Sequence, residues 1–228
     1  MNDFELKKDK WLKEVSNQCH EFALKTDLDF YVFQTPVSYN PDLLIIGINP
    51  GGDKSYCQLL NDKGYSKRPY NDLGYNENTL VIKPDWEIEN QLKGNDIMRN
   101  AFKRVFNKEN NLAILENTIM MNMFYFNTQK EIHIDKIDIK DEIKNYCINK
   151  TKEFIEILNP KNVLFLTSNN KNLKSCSVQN IEVLGNNIKK GLLGKREIYA
   201  IPHYGSYSAY SYVNAEKTGK NLSEIFLK

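Results

Sequence analysis

Two hydrophobic patterns alternate along the chain and together predict its secondary structure. Apolar residues three and four positions apart, a spacing typical of amphipathic helices, recur over residues 3–26, 95–106, 140–158 and 214–226. Short uninterrupted apolar runs, typical of buried strands, predict four core strands at residues 43–46, 117–124, 162–166 and 195–201. A further short run predicts a strand at residues 30–33.

Strands that alternate with helices are typical of a mainly parallel sheet covered by helices on both faces. The predicted fold class is therefore α/β: a three-layer α/β/α sandwich with a central, mainly parallel four-stranded sheet. We expect one domain over residues 1–228, with an N-terminal helix within residues 1–28 and a long polar loop over residues 52–93. Loops of that length in a compact domain are usually functional or disordered.

Composition narrows the class of protein without indicating a function. Hydrophobic residues make up 41% and charged residues 26% of the chain, which is ordinary for a globular protein. The net charge of +2 permits a polyanionic partner but does not require one, because dedicated nucleic-acid domains often have a pI above about 9. No apolar run is long enough to span a membrane. The charged N-terminus lacks the apolar core of a signal peptide, so the predicted location is the cytoplasm.

The four cysteines are scattered along the chain and form no Cys-x-x-Cys pair. Proteins of the reducing cytosol rarely carry structural disulfides, and zinc sites usually need closely spaced pairs. We therefore interpret these side chains as reduced thiols rather than as a disulfide or metal framework.

The first core strand runs into a tight turn, Gly47-Ile48-Asn49-Pro50-Gly51-Gly52. Glycine lets the backbone take a positive φ or approach a ligand closely, and proline fixes one φ angle. In open α/β sheets, ligands bind beyond the carboxyl ends of the strands. Asn49 therefore lies where a site is expected, although an asparagine can also simply cap a turn.

Two more polar residues, Asn122 and His203, stand at the ends of the second and fourth core strands. An asparagine side chain offers both donors and an acceptor, and a neutral histidine can donate one hydrogen bond. We expect the three strand ends to form one site. The alternative for each residue is a structural role, as a cap or as a satisfied loop side chain.

The same residues carry a resemblance to a known family, the uracil-DNA glycosylase superfamily. Gly47-Ile48-Asn49-Pro50-Gly51 resembles the Gly-x-Asn-Pro-Gly motif of its mismatch-specific and single-strand-selective branches. Asn122 falls where the family has a strand-end asparagine that reads the base, and Pro202-His203 resembles the histidine of the last motif, usually written His-Pro-Ser-Pro. The order and rough spacing of the strands also match from about residue 30 onward. The resemblance implies a uracil-DNA glycosylase-like fold.

The resemblance implies an enzyme that hydrolyses the N-glycosidic bond of a flipped uracil, or of a related damaged or modified base, in DNA. Such enzymes extrude the target nucleotide and read its base in a pocket, where Asn122 would accept from N3–H and donate to O4 of uracil. His203 would donate towards O2, because fixed donors stabilise the charge of the departing base. Asn49 cannot act as a general base, but its carbonyl oxygen would orient the attacking water. Branches with an acid at that position are expected to be faster.

The remaining substrate contacts that the resemblance implies come from the first and last motifs and from one aromatic residue. They are Gly47, Ile48, Pro50, Gly51, Tyr204, Gly205, Ser206 and, as the nearest candidate for the ring that stacks on the base, Tyr56. The chain departs from the family in two places. Its loop after Gly52 is longer, and His203 is followed by Tyr-Gly-Ser-Tyr rather than Pro-Ser-Pro. In the family, the first of these segments carries the ring that stacks on the base, and the second enters the DNA minor groove. One alternative is therefore an enzyme for a different base, including a bulky modified one.

The expected partner is single- or double-stranded DNA. The chain is expected to be a monomer and not to bind a membrane. The expected chemistry requires no cofactor and no metal ion. A second alternative is a protein that binds nucleic acid or a free nucleobase without cleaving it. An unrelated nucleotide-binding α/β enzyme is disfavoured, because the sequence has neither a Gly-x-Gly-x-x-Gly nor a Walker lysine pattern.

Overall fold

A computed structural model describes residues 2–52, 55–74, 80, 97–107, 109–128, 135–185, 187–206 and 210–226. Much of the predicted loop over residues 52–93 lies outside the described residues, as do the first two residues of the helix predicted at 95–106. The description that follows is limited to the described ranges.

The strands of the described residues form one mixed sheet of six. They are β1 (Leu43–Gly47), β2 (Thr118–Asn122), β3 (Asn162–Leu166), β4 (Val178–Gly185), β5 (Ile188–Leu193) and β6 (Arg196–Ile201). Their order across the sheet is β2-β1-β3-β6-β5-β4. Parallel pairing joins β1 to β2, β1 to β3 and β3 to β6, whereas β5 pairs antiparallel with both β6 and β4. The α/β class is thus confirmed, and the prediction of a four-stranded sheet is wrong.

The two additional strands, β4 and β5, form a hairpin at one edge of the sheet. Most of β4 is exposed, and its apolar residues Val183 and Leu184 are 73% and 46% exposed. An edge strand that buries so few side chains has no uninterrupted apolar run. This is the physical reason why the hydrophobic pattern did not predict the hairpin.

The described helices agree in four places with the predicted ones. α1 (Asp3–Thr26) and α5 (Lys140–Leu158) have the predicted bounds, and α3 (Ile97–Val105) and α7 (Tyr212–Phe226) lie within two residues of them. Short α4 (Glu109–Glu116) and α6 (Asn170–Ser175) were not predicted. The Asn2 side chain caps α1 by accepting a hydrogen bond from the Glu5 N–H at 2.8 Å.

Two predictions about the first half of the chain are wrong. Residues 56–63, expected as loop, form helix α2 (Tyr56–Lys63), which Ser55 caps and Gly64 ends in the left-handed conformation. Only Tyr56 of this helix is buried, so its sequence shows little apolar periodicity. Residues 30–33, expected as a strand, make only isolated bridges, which join Phe30 to Phe126 and Phe33 to both Met121 and Gly74. The bridges to Met121 and Phe126 hold this extended segment beside β2 and the chain that follows it.

The sheet is covered by helices on both of its faces. Alternate residues of β1 contribute to two different apolar clusters, Leu44 and Ile46 to one and Leu43 and Ile45 to the other. The first cluster contains buried residues of α1 and α5, and the second contains residues of α3 and α7. Because both faces are filled with apolar side chains, the fully buried strands β1 and β2 carry polar side chains only at or just beyond their ends.

Candidate active site

A cavity of about 420 Å³ lies at the carboxyl ends of the parallel strands. Its walls come from the ends of β1, β2, β3 and β6 and from the segment beside β2. The lining residues are Gln34, Gly47, Ile48, Asn49, Gly51, Met120, Asn122, Thr128, Leu166, Thr167, His203 and Tyr204. The volume falls within the range of about 300–1,000 Å³ that is typical of small-molecule sites.

A larger groove of about 810 Å³ lies elsewhere, between the start of α1 and the end of α5. Phe4, Trp11 and Tyr39 line it together with charged helix residues, and it contains none of the predicted site residues. The smaller cavity is the better candidate, because polar groups from several strand ends converge on it at the edge where α/β sheets bind ligands.

Seven of the predicted site residues line this cavity. They are Gly47, Ile48, Asn49, Gly51, Asn122, His203 and Tyr204. Residues from the ends of the first, second and fourth predicted core strands, separated by up to 157 positions in the chain (204 − 47), therefore meet in one place.

The turn after β1 is fixed by backbone hydrogen bonds to the chain that follows β2. The N–H groups of Met123 and Phe124 donate to the carbonyl oxygens of Gly47 and Ile48, each at 2.8 Å. Farther along, the Thr128 N–H donates to the Pro50 carbonyl at 3.3 Å. These bonds bring two distant segments side by side and place Thr128 in the cavity wall.

Gly47 is required by the close approach of β2. A Cβ atom at this position would lie 2.9 Å from the Asn122 Oδ1 atom, closer than real Cβ contacts allow. The glycine of the first motif therefore leaves space for the asparagine of the second.

The Asn49 side chain is held in one orientation. Its Nδ2 atom donates to Thr128 Oγ1 at 2.7 Å and to the Pro50 carbonyl at 3.1 Å. Both amide protons are therefore used, and Oδ1 is left as an acceptor. An acceptor of this kind can orient a water molecule but cannot remove its proton at neutral pH.

The Asn122 side chain is completely buried and is also fixed. Its Nδ2 atom donates to the Tyr31 carbonyl at 3.1 Å, and its Oδ1 atom accepts from Gln34 Nε2 at 3.3 Å. Asn122 has 0% exposure, whereas Gln34 is half-buried. Of these two hydrogen-bonded amides in the cavity wall, only that of Gln34 is partly exposed.

His203 lies in the cavity wall, in the loop after β6, and its ring can act as a hydrogen-bond donor. The Gly205 N–H donates to its Nδ1 atom at 3.1 Å. Because Nδ1 accepts, the proton of the neutral imidazole lies on Nε2. Desolvation in the crowded loop lowers the pKa of His203 below its usual 6.5, which favours this neutral form. The ring stacks on Tyr204, with ring centres 3.9 Å apart.

The other predicted contacts do not line the cavity. Pro50 is buried beneath the first turn, where its carbonyl oxygen accepts from Asn49 and Thr128. Gly205 and Ser206 form the turn that shapes the His203 loop, and the Ser206 N–H donates to the His203 carbonyl at 2.9 Å. These three residues hold cavity residues in place.

Tyr56 lies in the core rather than at the site. It is 0% exposed, and its hydroxyl group hydrogen-bonds His20 Nδ1 at 2.9 Å and the Arg68 N–H at 3.2 Å. The start of helix α2 turns this side chain towards Phe30. Tyr204 is the aromatic residue of the cavity lining.

Sequence reasoning missed three polar residues of the cavity: Gln34, Thr128 and Thr167. Thr167 directly follows β3, so the rule that ligands bind at the carboxyl ends of parallel strands would have predicted it. Gln34 and Thr128 belong to no motif, because they reach the cavity only through pairing with β2 and with the turn after β1.

The cavity lining contains no carboxylate among the described residues. The described ranges also contain no group of three or more His, Cys, Asp or Glu side chains arranged to hold a metal ion. Within the same ranges, no helix combines the length and the apolar character needed to cross a membrane.

Comparison of the chain with protein-family models gives no match. Comparison with curated proteins also gives none. The functional conclusion therefore depends on the geometry of the cavity and on the three strand-end motifs.

Proposed function

We propose that this chain is a DNA glycosylase that hydrolyses the N-glycosidic bond of a flipped uracil or of a related damaged or modified base. The observation that carries the proposal is the convergence of Asn49, Asn122 and His203 on one cavity at the carboxyl edge of the parallel strands. The proposed fold assignment, a uracil-DNA glycosylase-like sandwich extended by a hairpin, rests on the same residues and their order.

His203 has the features of a leaving-group stabiliser. Cleavage of the N-glycosidic bond leaves negative charge on the base, and a donor that is already in position lowers the barrier without reorganisation. The bond from the Gly205 N–H to Nδ1 leaves Nε2–H as the donor of the neutral ring. The lowered pKa of His203 keeps the ring in that state at neutral pH.

Asn49 would position the attacking water. Its Nδ2 atom is held by Thr128 and Pro50, so the acceptor Oδ1 has a defined orientation. Because the amide of Asn49 takes no proton near neutrality, it would orient the water without acting as a general base. We expect turnover to lack the contribution of about 10²–10⁴-fold that such a base can give.

Two observations favour the alternatives. Asn49, which cannot act as a general base, also suits a protein that binds nucleic acid or a nucleobase without cleaving it. The volume of about 420 Å³ is in the range that holds drug-sized ligands, which suits a glycosylase for a base that carries a bulky substituent.

The test is base release from matched oligonucleotides, single- and double-stranded, that carry uracil, a normal base or a substituted base at one position. We expect release by the parent from at least one non-normal substrate and loss of release in Asn49→Ala and His203→Ala. Salt-sensitive binding without release from any substrate would support the non-catalytic alternative.

A further inference from the structure

We propose that Gln34 is the amide that contacts the bound base, and that Asn122 is a positioning residue that fixes the orientation of Gln34. This inference deepens the proposed function and rests on it, since it assumes that the cavity binds a base. It differs from the role that the sequence resemblance implies for Asn122.

Burial separates the two amides. Asn122 is completely buried, and its Oδ1 atom accepts a hydrogen bond from Gln34 Nε2 at 3.3 Å. A ligand atom is no smaller than water, so Asn122 in this conformation offers a ligand no accessible surface, although it lies in the cavity wall. Gln34 lines the same cavity and is only half-buried.

A chain of hydrogen bonds sets which end of Gln34 is free. The Tyr31 carbonyl can only accept, so Asn122 must direct Nδ2 towards it, at 3.1 Å. Asn122 Oδ1 then faces Gln34, which must donate through Nε2. The Gln34 backbone is held as well, since its N–H donates to the Met120 carbonyl at 2.8 Å.

Gln34 therefore presents Oε1 and the second Nε2 proton, neither of which has a partner among the described residues. A glutamine that could flip its amide would fit either order of donor and acceptor on a base. A glutamine held by Asn122 fits one order only, provided that the base is also held through O2 by His203. Uracil places the N3–H donor beside the O4 acceptor, whereas cytosine places the N3 acceptor beside the N4 amino donor. The fixed amide is thus a device for discriminating between these two edges.

The test is calorimetric titration of the full-length chain with free uracil and free cytosine as probes. We expect the parent to bind uracil about tenfold or more tightly than cytosine. Gln34→Met, which keeps the length of the side chain without its polar end, is expected to weaken uracil binding by about tenfold or more. Gln179→Met, at an exposed position of β4, is the matched control and is expected to bind as the parent does.

The role of Asn122 is tested by selectivity. Asn122→Ala frees the Gln34 amide to flip, so the preference for uracil over cytosine is expected to fall towards one. Far-ultraviolet circular dichroism establishes that each variant is folded, and if Asn122→Ala does not fold, Gln34→Met alone decides the inference.

If the parent binds uracil and Gln34→Met binds it with the same affinity, the role of Gln34 is overturned while the proposed function stays intact. A parent that binds neither base and releases none from an oligonucleotide would overturn the proposed function, and this inference with it.

Discussion

The parallel half of the sheet and the β4–β5 hairpin differ in where they place polar residues. Every residue of β1 and β2 is buried, so polar side chains can stand only at the strand ends, where they meet in the cavity. In β4 exposed residues predominate along the whole strand. No described residue of the hairpin lines the cavity.

The difference shows that burial of the parallel strands brings the polar side chains together at one edge of the sheet. A strand covered on both faces has no other place for an amide or an imidazole, and parallel strands bring their carboxyl ends to one edge. The hairpin extends the sheet without contributing to the site. Substitutions of residues that hold the parallel strands and the cavity in place should therefore affect function, whereas substitutions in the hairpin should affect stability alone.

The largest effect is expected from the buried ion pair that supports the segment beside β2. Arg68 is 2% exposed and donates from Nη1 to Asp29 Oδ1 at 2.9 Å, and Asp29 is 0% exposed. Arg68→Ala would leave a buried carboxylate without its partner, so we expect the free energy of unfolding to fall by about 3–5 kcal/mol. Urea denaturation measures this change.

The pH dependence of that loss sharpens the prediction. Burial raises the pKa of Asp29 above its usual value, and Arg68 opposes the rise. Without Arg68 the pKa rises further, so the folded variant favours the protonated carboxyl group. The loss should be greatest at neutral pH and should shrink as the pH falls through the raised pKa. A loss below about 1 kcal/mol at neutral pH would contradict the account.

Two glycine substitutions compare the two regions directly. A Cβ at position 47 would lie 2.9 Å from Asn122 Oδ1, and one at position 191, in β5, would lie 2.6 Å from Val178 Cγ1. Gly47→Ala displaces a cavity residue, and a displacement of about 1 Å can reduce a rate by about 10²-fold. Gly191→Ala crowds the hairpin, so we expect a loss of about 1–3 kcal/mol in stability with kcat/KM unchanged.

The measurements are kcat/KM for base release and the free energy of unfolding, both taken for each variant. Equal losses of kcat/KM in Gly47→Ala and Gly191→Ala would break the distinction between the two halves of the sheet.

A smaller effect is expected from pH at His203. Desolvation lowers its pKa below 6.5, so folding favours the neutral ring. Its contribution to stability is complete above pH 6.5 and is lost as the pH falls through the lowered pKa. Protonation of Nδ1 would also break the bond from the Gly205 N–H. We expect kcat/KM to fall on the acid side, below pH 6.5.

The acid limb should be absent from any residual activity of His203→Gln and present in Gly191→Ala. A parent profile that stays flat well below pH 6.5 would contradict the neutral role of His203.

The smallest effect is expected from the exposed ion pair that joins the hairpin to β6. Lys190 Nζ lies 2.5 Å from Glu197 Oε2, and the two side chains are 37% and 45% exposed. Solvent and salt screen such pairs, so Lys190→Ala should leave the free energy of unfolding almost unchanged. Urea denaturation at low and high salt checks this, and a loss comparable to that of Arg68→Ala would be inconsistent with it.

The sequence predicted the parts of the fold whose residues are strongly patterned. Long amphipathic α1 and α5 and the buried run of β3 have the predicted bounds. The hairpin was not predicted because β4 exposes most of its residues, and α2 was not predicted because Tyr56 is its only fully buried residue.

The site was predictable where a motif coincides with a strand end. Asn49, Asn122 and His203 satisfy that condition. Gln34 reaches the cavity only because its N–H pairs with the Met120 carbonyl, a long-range register that no local pattern encodes. Tyr56 was a wrong choice for the cavity, because closeness to Asn49 in sequence does not determine where the start of α2 directs its side chain.

The most direct test of the central claim is single-turnover release of uracil from a single-stranded oligonucleotide by the parent, His203→Ala and Gly191→Ala. Removal of one positioned donor typically reduces the rate by about 10²–10³-fold. The account predicts release by the parent, a loss of that size in His203→Ala and the parental rate in Gly191→Ala. Equal rates in the parent and in His203→Ala would contradict it.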